Sequence, residues 1–285
     1  MPDMSNTNLY CVSHRPIDLA GTGIHTLQVG SEKQDFADYR DNTGGNISAL
    51  NAKYSELTGH YWVWKNRPTD IVGFCHYRRF LIPQSMDEWL SQNAHRPYAT
   101  RPPMGAGNYA SGYQTDQQLL ISRFTESDYC SELLNALHDC DILLPKYNRV
   151  MQGGLIKQYG RAHPIEPFYA MLAAIASADN TLGKQALTFF TEHEYAYWNN
   201  LFVTRWELFN EYSEFQFEVL LSLDSNKLQF DDVYQNRFCA FLSERLFNFW
   251  LWHKKPTIKQ LNWCMTEGME HGNEAHQRKT KRKAA

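Results

Sequence analysis

The sequence predicts an α/β fold with a helical C-terminal part, and two observations lead to this prediction. Short apolar runs that end in polar residues, such as residues 9–13 and 71–75, have the length and composition of buried strands. Longer segments with apolar residues at helical spacing lie between and after them, and residues 235–252 form the strongest. Strands that alternate with helices are typical of a central sheet covered by helices.

The composition allows one large α/β domain, or one domain with a helical annex. The chain has 285 residues, of which 43% are hydrophobic and 14% aromatic, so a sizeable core can form. The net charge is −3, so the chain does not have the overall positive charge that is typical of a dedicated nucleic-acid-binding protein. We therefore expect no nucleic-acid partner.

Cysteine usage and the chain ends favour a cytoplasmic protein. The six cysteines show no C-x-x-C pair, as expected of free thiols in a reducing compartment. The first residues carry no apolar signal segment, and no apolar run approaches the roughly 20 residues of a membrane span. Residues 278–285 carry five cations, which suit either a solvated end or peripheral contact with the inner face of the plasma membrane.

The N-terminal half predicts two further elements around the first strands. Residues 24–29 form a second strand, and residues 41–45 have turn chemistry. Residues 48–65 predict one helix, with Ser48 as the N-cap and Pro68 as the stop.

The C-terminal half predicts mostly helices, separated by two strands and two loops. The Pro-, Gly- and Tyr-rich residues 94–112 predict a mobile flap or a binding loop. The remaining expectations are helices at 128–138, 166–178, 183–192 and 206–223, strands at 141–145 and 199–204, and a loop at 153–164.

Polar and cationic residues follow the strand at 71–75. Ligands of open α/β sheets lie just outside the carboxyl ends of the strands, and arginine forks there suit phosphate. An anionic ligand, a nucleotide, is therefore expected. Because side chains alternate along a strand, we expect one of Arg78 and Arg79 in the site and the other in a structural role.

Residues 41–81 also carry a family resemblance, with the sequence DNTGGNISALNAKYSELTGHYWVWKNRPTDIVGFCHYRRFL. Further matching motifs are VSH at 12–14, DILLP at 141–145, QYG..H at 158–163, NNLFVT at 199–204 and R.CAFLSERL at 237–246. The chain resembles the capsular-polysaccharide and exopolysaccharide biosynthesis family, first catalogued as a domain of unknown function and later linked to galactofuranosyltransferases. The combination of ELT..YW.WKN with HYRRF makes this resemblance specific.

The resemblance implies a GT-A-like glycosyltransferase fold with a mixed central sheet flanked by helices. It implies one such domain at residues 9–265, after a disordered N-terminus at 1–8 and before a polar, basic tail at 266–285. It further implies transfer of a sugar, galactofuranose, from a UDP-sugar to a lipid-linked or glycan acceptor in capsule, exopolysaccharide or O-antigen synthesis.

One departure from most GT-A enzymes concerns the metal. Those enzymes hold a divalent cation with a D-x-D pair at the end of a central strand, where this chain has His76-Tyr77-Arg78. A protein cation there would replace or assist Mn or Mg, so the need for either metal stays open. His76 is the one candidate ligand, with hydrogen-bonded packing as the equal alternative.

Position along the chain assigns roles to the remaining polar residues. The residues assigned to the nucleotide sugar are His14, Asp41, Asn46, Asn51, Glu56, Lys65, His76, Arg78 and Arg79. Turn and capping chemistry is the alternative for Asp41 and Asn46, and surface ion pairs for the cations. Glu56 is expected in the middle of a helix, where it would orient a cation or contact the sugar.

Acceptor chemistry is assigned to the C-terminal half. Asn200 and His163 are the acceptor residues. An inverting transfer needs a general base, for which Glu244 is the first choice, His163 the second and Asp232 the third. An internal ion pair of Glu244 with Arg245 is the structural alternative.

Two other functions compete with glycosyl transfer. A non-catalytic carbohydrate-binding or scaffold protein of the same machinery would explain the aromatic content and the absent D-x-D. The arginines favour the enzyme, because a binder of neutral glycans needs no diphosphate clamp. A nucleic-acid-modifying protein is disfavoured by the acidic net charge.

Overall fold

A nine-stranded mixed sheet organises the parts of the chain that the structure, a computed structural model, describes: residues 6–30, 35–94, 112–150, 153–223 and 227–266. Residues 95–111 of the expected flap and the whole basic run at 278–285 lie outside these ranges. The predicted α/β class is confirmed, and the sheet contains both parallel and antiparallel pairs.

The parallel half of the sheet contains the first four strands. They are β1 (Thr7–Ser13), β2 (Ile24–Gln28), β3 (Tyr39–Arg40) and β4 (Ile71–His76). β1 lies between β2 and β4, and β3 pairs with the outer side of β2. Val12 stands opposite His76 across β1 and β4, so both strands end at the same edge.

The other half contains antiparallel pairs. Its strands are β5 (Arg79–Ile82), β6 (Tyr113–Gln114), β7 (Ile142–Pro145), β10 (Phe202–Arg205) and β11 (Ile258–Met265). β10 runs antiparallel to β4 and β7, while β11 is parallel to β6 and β7 and antiparallel to β5. β8 (Asn148–Arg149) and β9 (Tyr195–Ala196) form a separate two-stranded sheet.

Helices cover both faces of the sheet and form a third layer near the C-terminus. The helices are α1 (Asn51–Tyr54), α2 (Leu57–Asn66), α3 (Asp87–Asn93), α4 (Gln117–Glu126), α5 (Tyr129–Leu137), α6 (Gly154–Ala162), α7 (Glu166–Ala178), α8 (Asn180–Glu192), α9 (Trp206–Leu221) and α10 (Phe238–Lys254). One buried apolar cluster joins α3, α4 and α5 to the sheet, and another joins α2, α9 and α10 to the opposite face. A third cluster is formed largely by α6 to α10.

Two expectations from the sequence concern the state of the cysteines and the presence of membrane-spanning helices. All six cysteines are free thiols, four of them buried and two half-buried. Within the described ranges, no helix combines the length and apolar character needed to cross a bilayer.

The single helix expected over residues 48–65 is wrong. A short 3₁₀ segment (Ser48–Leu50) leads into α1, and the chain breaks at Ser55, whose φ is +49°. Ser48 makes no side-chain cap. The break is stabilised by non-local contacts, because the Arg237 guanidinium donates to Ser55 Oγ at 2.7 Å. A contact between residues 182 positions apart cannot be predicted from the local pattern of apolar residues.

The loop expected over residues 153–164 is also wrong, since most of it forms α6. Gly153, Gly154 and Pro164 favoured a loop in the sequence. Leu155 and Tyr159, four residues apart, are both fully buried and pack one face of this helix into the C-terminal cluster. That spacing was the signal for a helix.

Gly154 fixes the start of α6, and replacing it with Ala is expected to lower the free energy of unfolding by roughly 2–4 kcal/mol. Its φ is +71°, and an added Cβ would lie 2.7 Å from the Thr191 carbonyl carbon. Gly160→Ala is the matched control in the same helix, because its Cβ would meet only the flexible end of Ile165 at 3.3 Å. Urea unfolding should show Gly160→Ala within about 1 kcal/mol of wild type. Equal stability of the two variants would contradict this account of the helix start.

Candidate functional site

A cleft of about 790 Å³ opens at the edge where β1 and β4 end. Most of its lining comes from the ends of β1 and β4, the break between α1 and α2, the C-terminal part of α6, and the start of α10 with its preceding loop. Val29, after β2, and Asn199, before β10, complete it. The polar residues that line it are His14, Asn51, Ser55, Glu56, His76, Tyr77, Arg78, Arg79, Gln158, His163, Asn199, Tyr234, Asn236, Arg237, Glu244 and Arg245.

The cleft brings together most of the residues assigned from the sequence. His14, Asn51, Glu56, His76, Arg78, Arg79, His163 and Glu244 all line it. Both arginines of the pair line the cleft, whereas one was expected in the site and the other in a structural role. The reason is local: residues 77 and 78 form a turn between β4 and β5, where strand alternation does not apply.

Three assigned residues lie outside the described lining and make local contacts. Asn46 donates to the Gly44 carbonyl at 2.9 Å, which is turn chemistry. The Lys65 ammonium lies 3.2 Å from the centroid of the Trp64 ring, a cation–π contact. Asp232 accepts the backbone N–H of Tyr234 at 2.8 Å and is exposed.

Asp41 and Asn200 also lie outside the described lining, but both are buried. Burial raises the pKa of the Asp41 carboxyl, which lies at the end of β3 near Thr58. Asn200 is buried and contacts Glu56, a lining carboxylate.

Arginines give the cleft its charge. Arg78 and Arg79 come from the β4–β5 turn, and Arg237 and Arg245 come from the start of α10. Two carboxylates, from Glu56 and Glu244, stand against these four cations among the described lining residues. A surplus of fixed positive charge at the carboxyl ends of strands is what a diphosphate requires.

Arg237 is the main residue that the sequence assignment missed. Besides its bond to Ser55, its guanidinium lies 3.9 Å from Glu56 Oε2. The same side chain therefore fixes the helix break and faces the cleft. Its signal in the sequence was its place at the head of the R.CAFLSERL motif.

His76 lies at the end of β4 among cations. Burial, followed by the charges of Arg79 and Arg78, holds the pKa of His76 well below its ordinary value, so the imidazole is neutral at pH 7. Among the described residues, no group of three or more His, Cys, Asp and Glu side chains could hold a metal ion. His76 therefore does not belong to such a group, and its nearest charged neighbours, Arg78 and Arg79, are cations.

Glu56 lies at the start of α2 and not in the middle of a helix, which corrects the expected position. The break at Ser55 turns its carboxylate toward the cleft. Glu56 Oε1 accepts a hydrogen bond from Asn200 Nδ2 at 3.0 Å. This bond links the helix break to the turn that precedes β10.

Glu244 lies in α10 with its carboxylate at the cleft, and its side chain is 16% exposed. Oε1 accepts the backbone N–H of Asn199 at 2.8 Å, and Oε2 lies 3.1 Å from Arg245 Nη1. Burial raises the pKa of Glu244, and the charge of Glu56 raises it further, while Arg245 opposes both effects. The ion pair considered as the structural alternative therefore exists, and the carboxylate still faces the cleft.

The Asn199–Asn200 turn holds both carboxylates. Both residues have positive φ, +77° and +50°, in the left-handed region that Asn tolerates better than most residues. The backbone of Asn199 binds Glu244, and the side chain of Asn200 binds Glu56. One strained turn thereby positions the two acidic groups of the cleft.

Arg245 is buried beneath the cleft, with a side-chain exposure of 2%. It donates to the Phe241 carbonyl at 2.6 Å and to Gln158 Oε1 at 2.8 Å, in addition to the Glu244 pair. The guanidinium also lies 4.7 Å from the centroid of the Trp198 ring. These contacts fix α6 and α10 around the cleft floor.

His163 lies at the end of α6. Its Nδ1 is 2.9 Å from Gln235 Oε1, and Gln235 Nε2 donates to the Ala162 carbonyl at 3.2 Å. These two contacts join the end of α6 to the loop before α10. Burial lowers the pKa of His163 to about 4, so it is a neutral and weak base at pH 7.

The fold is α/β, and the cleft at the ends of β1 and β4 is rich in arginine. This chain belongs to the family described as Domain of unknown function (DUF4422), which matches residues 8–255. It is similar to a solved structure titled as the apo form of the bifunctional glycosyltransferase WbbM, with 25% identity and a TM-score of 0.72. The match covers 92% of this chain and 45% of that one, so the chain spans less than half the length of that protein. No curated protein matches it.

Proposed function

We propose that this chain is a glycosyltransferase that moves a sugar from a UDP-sugar to a growing surface polysaccharide. The observation that carries the proposal is the cleft at the ends of β1 and β4, whose lining includes four arginines and two carboxylates. The likeness to a bifunctional glycosyltransferase structure supports the reaction class. Galactofuranose is the proposed sugar, and a GT-A-like domain at residues 9–265 is the proposed frame.

The donor side of the cleft is proposed to be the β4–β5 turn together with Arg237. When the bond between the sugar and the nucleoside diphosphate breaks, negative charge develops on the departing phosphate. Arg78, Arg79 and Arg237 supply fixed positive charge for it and cost no reorganisation during the reaction. His14 and Asn51, at the end of β1 and the start of α1, are proposed to contact the nucleoside.

Glu244 is the proposed general base. The acceptor hydroxyl must lose its proton as its oxygen attacks the anomeric carbon, and a positioned carboxylate accepts that proton. Because burial raises its pKa, Glu244 is a stronger base than an ordinary glutamate. His163, with a pKa of about 4, ranks below it, and Asp232 is third because it lies in an exposed turn.

Arginines take the place of a protein-held metal in this proposal. No step is assigned to Mn or Mg, because Arg78 and Arg79 place positive charge beside His76, the one candidate ligand. The acceptor is proposed to be lipid-linked or a glycan, at the cytoplasmic face of the membrane.

A thermal-shift panel with UDP-, GDP-, dTDP- and CMP-sugars tests the proposal. A UDP-sugar at 100 times its dissociation constant should add about 2.7 kcal/mol to the free energy of unfolding and raise the melting temperature. The shift should persist without manganese. A panel in which no UDP compound stabilises the protein would contradict the proposed function.

A further inference from the structure

One wall of the cleft consists of three aromatic rings that pack in series. The Phe241 and His163 rings are stacked, with centroids 4.0 Å apart and planes at 21°. The Tyr234 ring follows at 5.0 Å from Phe241 and 6.0 Å from His163. We call these three residues the aromatic wall.

Tyr234 is the outermost ring and is 53% exposed, while the two rings behind it are largely covered. Its loop is ordered by hydrogen bonds. Asp232 accepts the N–H of Tyr234 at 2.8 Å, and Asn236 accepts the N–H of Phe230 at 2.9 Å. An exposed ring that is backed by other rings and lines a cleft presents an apolar surface to a ligand.

The aromatic wall stands next to the proposed base. Phe241 and Glu244 are three residues apart in α10, and Arg237 precedes Phe241 by four, so all three lie on one face of the helix start. The Arg237 guanidinium lies 5.9 Å from the centroid of the Phe241 ring. Along this face, Arg237, which is proposed to bind phosphate, is followed by the Phe241 ring and then by the Glu244 carboxylate.

We infer that the aromatic wall is the acceptor subsite and that it binds a sugar ring through its apolar C–H face, with Tyr234 as the stacking residue. A sugar offers one face of C–H groups and an edge of hydroxyls. Tyrosine supplies the matching flat surface, and Asn236 and Gln158 line the cleft beside it with donors and acceptors for hydroxyls. This inference rests on the proposed function, because it assigns the acceptor side of that reaction.

Saturation-transfer NMR on the full chain, with and without UDP, tests the inference. The probes are methyl β-galactofuranoside and methyl β-galactopyranoside as free sugars, and octyl β-galactopyranoside as a sugar on an alkyl chain. Wild type should saturate the ring protons of at least one methyl glycoside. Tyr234→Ala should bind that glycoside roughly five- to tenfold more weakly, and Tyr234→Phe should bind it like wild type. Tyr195→Ala, which removes a tyrosine 43% exposed and outside the described lining, is the matched control.

The outcomes separate this inference from the proposed function. UDP affinity is measured on the same samples, and its absence in wild type would contradict the proposed function. Unchanged glycoside affinity in Tyr234→Ala would overturn the subsite, as would wild-type saturation confined to the octyl chain or absent with every probe. Loss of glycoside binding in Tyr234→Ala alone, with UDP affinity retained, would support the subsite.

Discussion

Replacing Glu244 with Gln is expected to slow sugar transfer by about 10²–10⁴-fold and to leave UDP binding intact. Gln keeps the shape of the side chain and an oxygen for the Asn199 N–H, but it cannot take the proton from the acceptor hydroxyl. Initial rates at saturating donor and acceptor, with UDP affinity measured by calorimetry, check this result. Glu218→Gln, which changes an exposed carboxylate of α9, is the matched control.

The pH dependence of the transfer rate is a second test of the role of Glu244. A base acts when deprotonated, so transfer should be lost as the pH falls through the pKa of Glu244. Because burial raises that pKa, the acid limb should lie above the ordinary value of 4.5. The sign for stability is the reverse: the folded state holds this proton more tightly than the unfolded chain, so the contribution of Glu244 to stability is lost as the pH rises through the raised pKa. Near-parent turnover by Glu244→Gln, in a variant that melts like wild type, would exclude the assignment and move attention to His163.

Removing Arg78 or Arg79 is expected to weaken UDP binding by roughly 1.5–3 kcal/mol, or about 10- to 150-fold. Each truncation removes a charge-assisted contact from a cleft whose remaining cations cannot move into its place. Isothermal titration of Arg78→Ala, Arg79→Ala and Arg237→Ala with UDP measures the effect. Arg161→Ala, from the exposed side of α6, should bind UDP like wild type.

Arg79→Lys refines this test. Lysine keeps the charge and loses the planar fork, so its affinity should fall between those of wild type and Arg79→Ala. If both Arg78→Ala and Arg79→Ala are folded and bind UDP like the parent, the diphosphate clamp is wrongly placed.

The parts of the site that could be predicted come from local patterns. The strand predicted at residues 71–75 and the polar run after it are adjacent in the sequence, so the cationic edge followed from the rule for strand ends. Glu244 was assigned from its motif and the chemistry of the reaction. The structure places both groups at one cleft.

The parts that could not be predicted depend on contacts between distant segments. The break at Ser55, which turns Glu56 toward the cleft, is stabilised by Arg237, 182 residues further along the chain. The role of Asn200 behind Glu56 likewise depends on a contact across 144 residues. Strand β11 was not predicted, because residues 258–265 lack an alternating apolar pattern. Its pairing with β5 and β7 joins segments that are distant in the sequence.

Acceptor-dependent release of UDP from a UDP-sugar is the most direct measurement of the central claim. The proposal predicts UDP and a new glycoside in equal amounts, formed by wild type from UDP-galactofuranose and a galactoside acceptor, and strongly reduced in Glu244→Gln. A wild-type protein that binds the UDP-sugar and the acceptor but leaves both intact would contradict the claim and point to a carbohydrate-binding protein without catalysis.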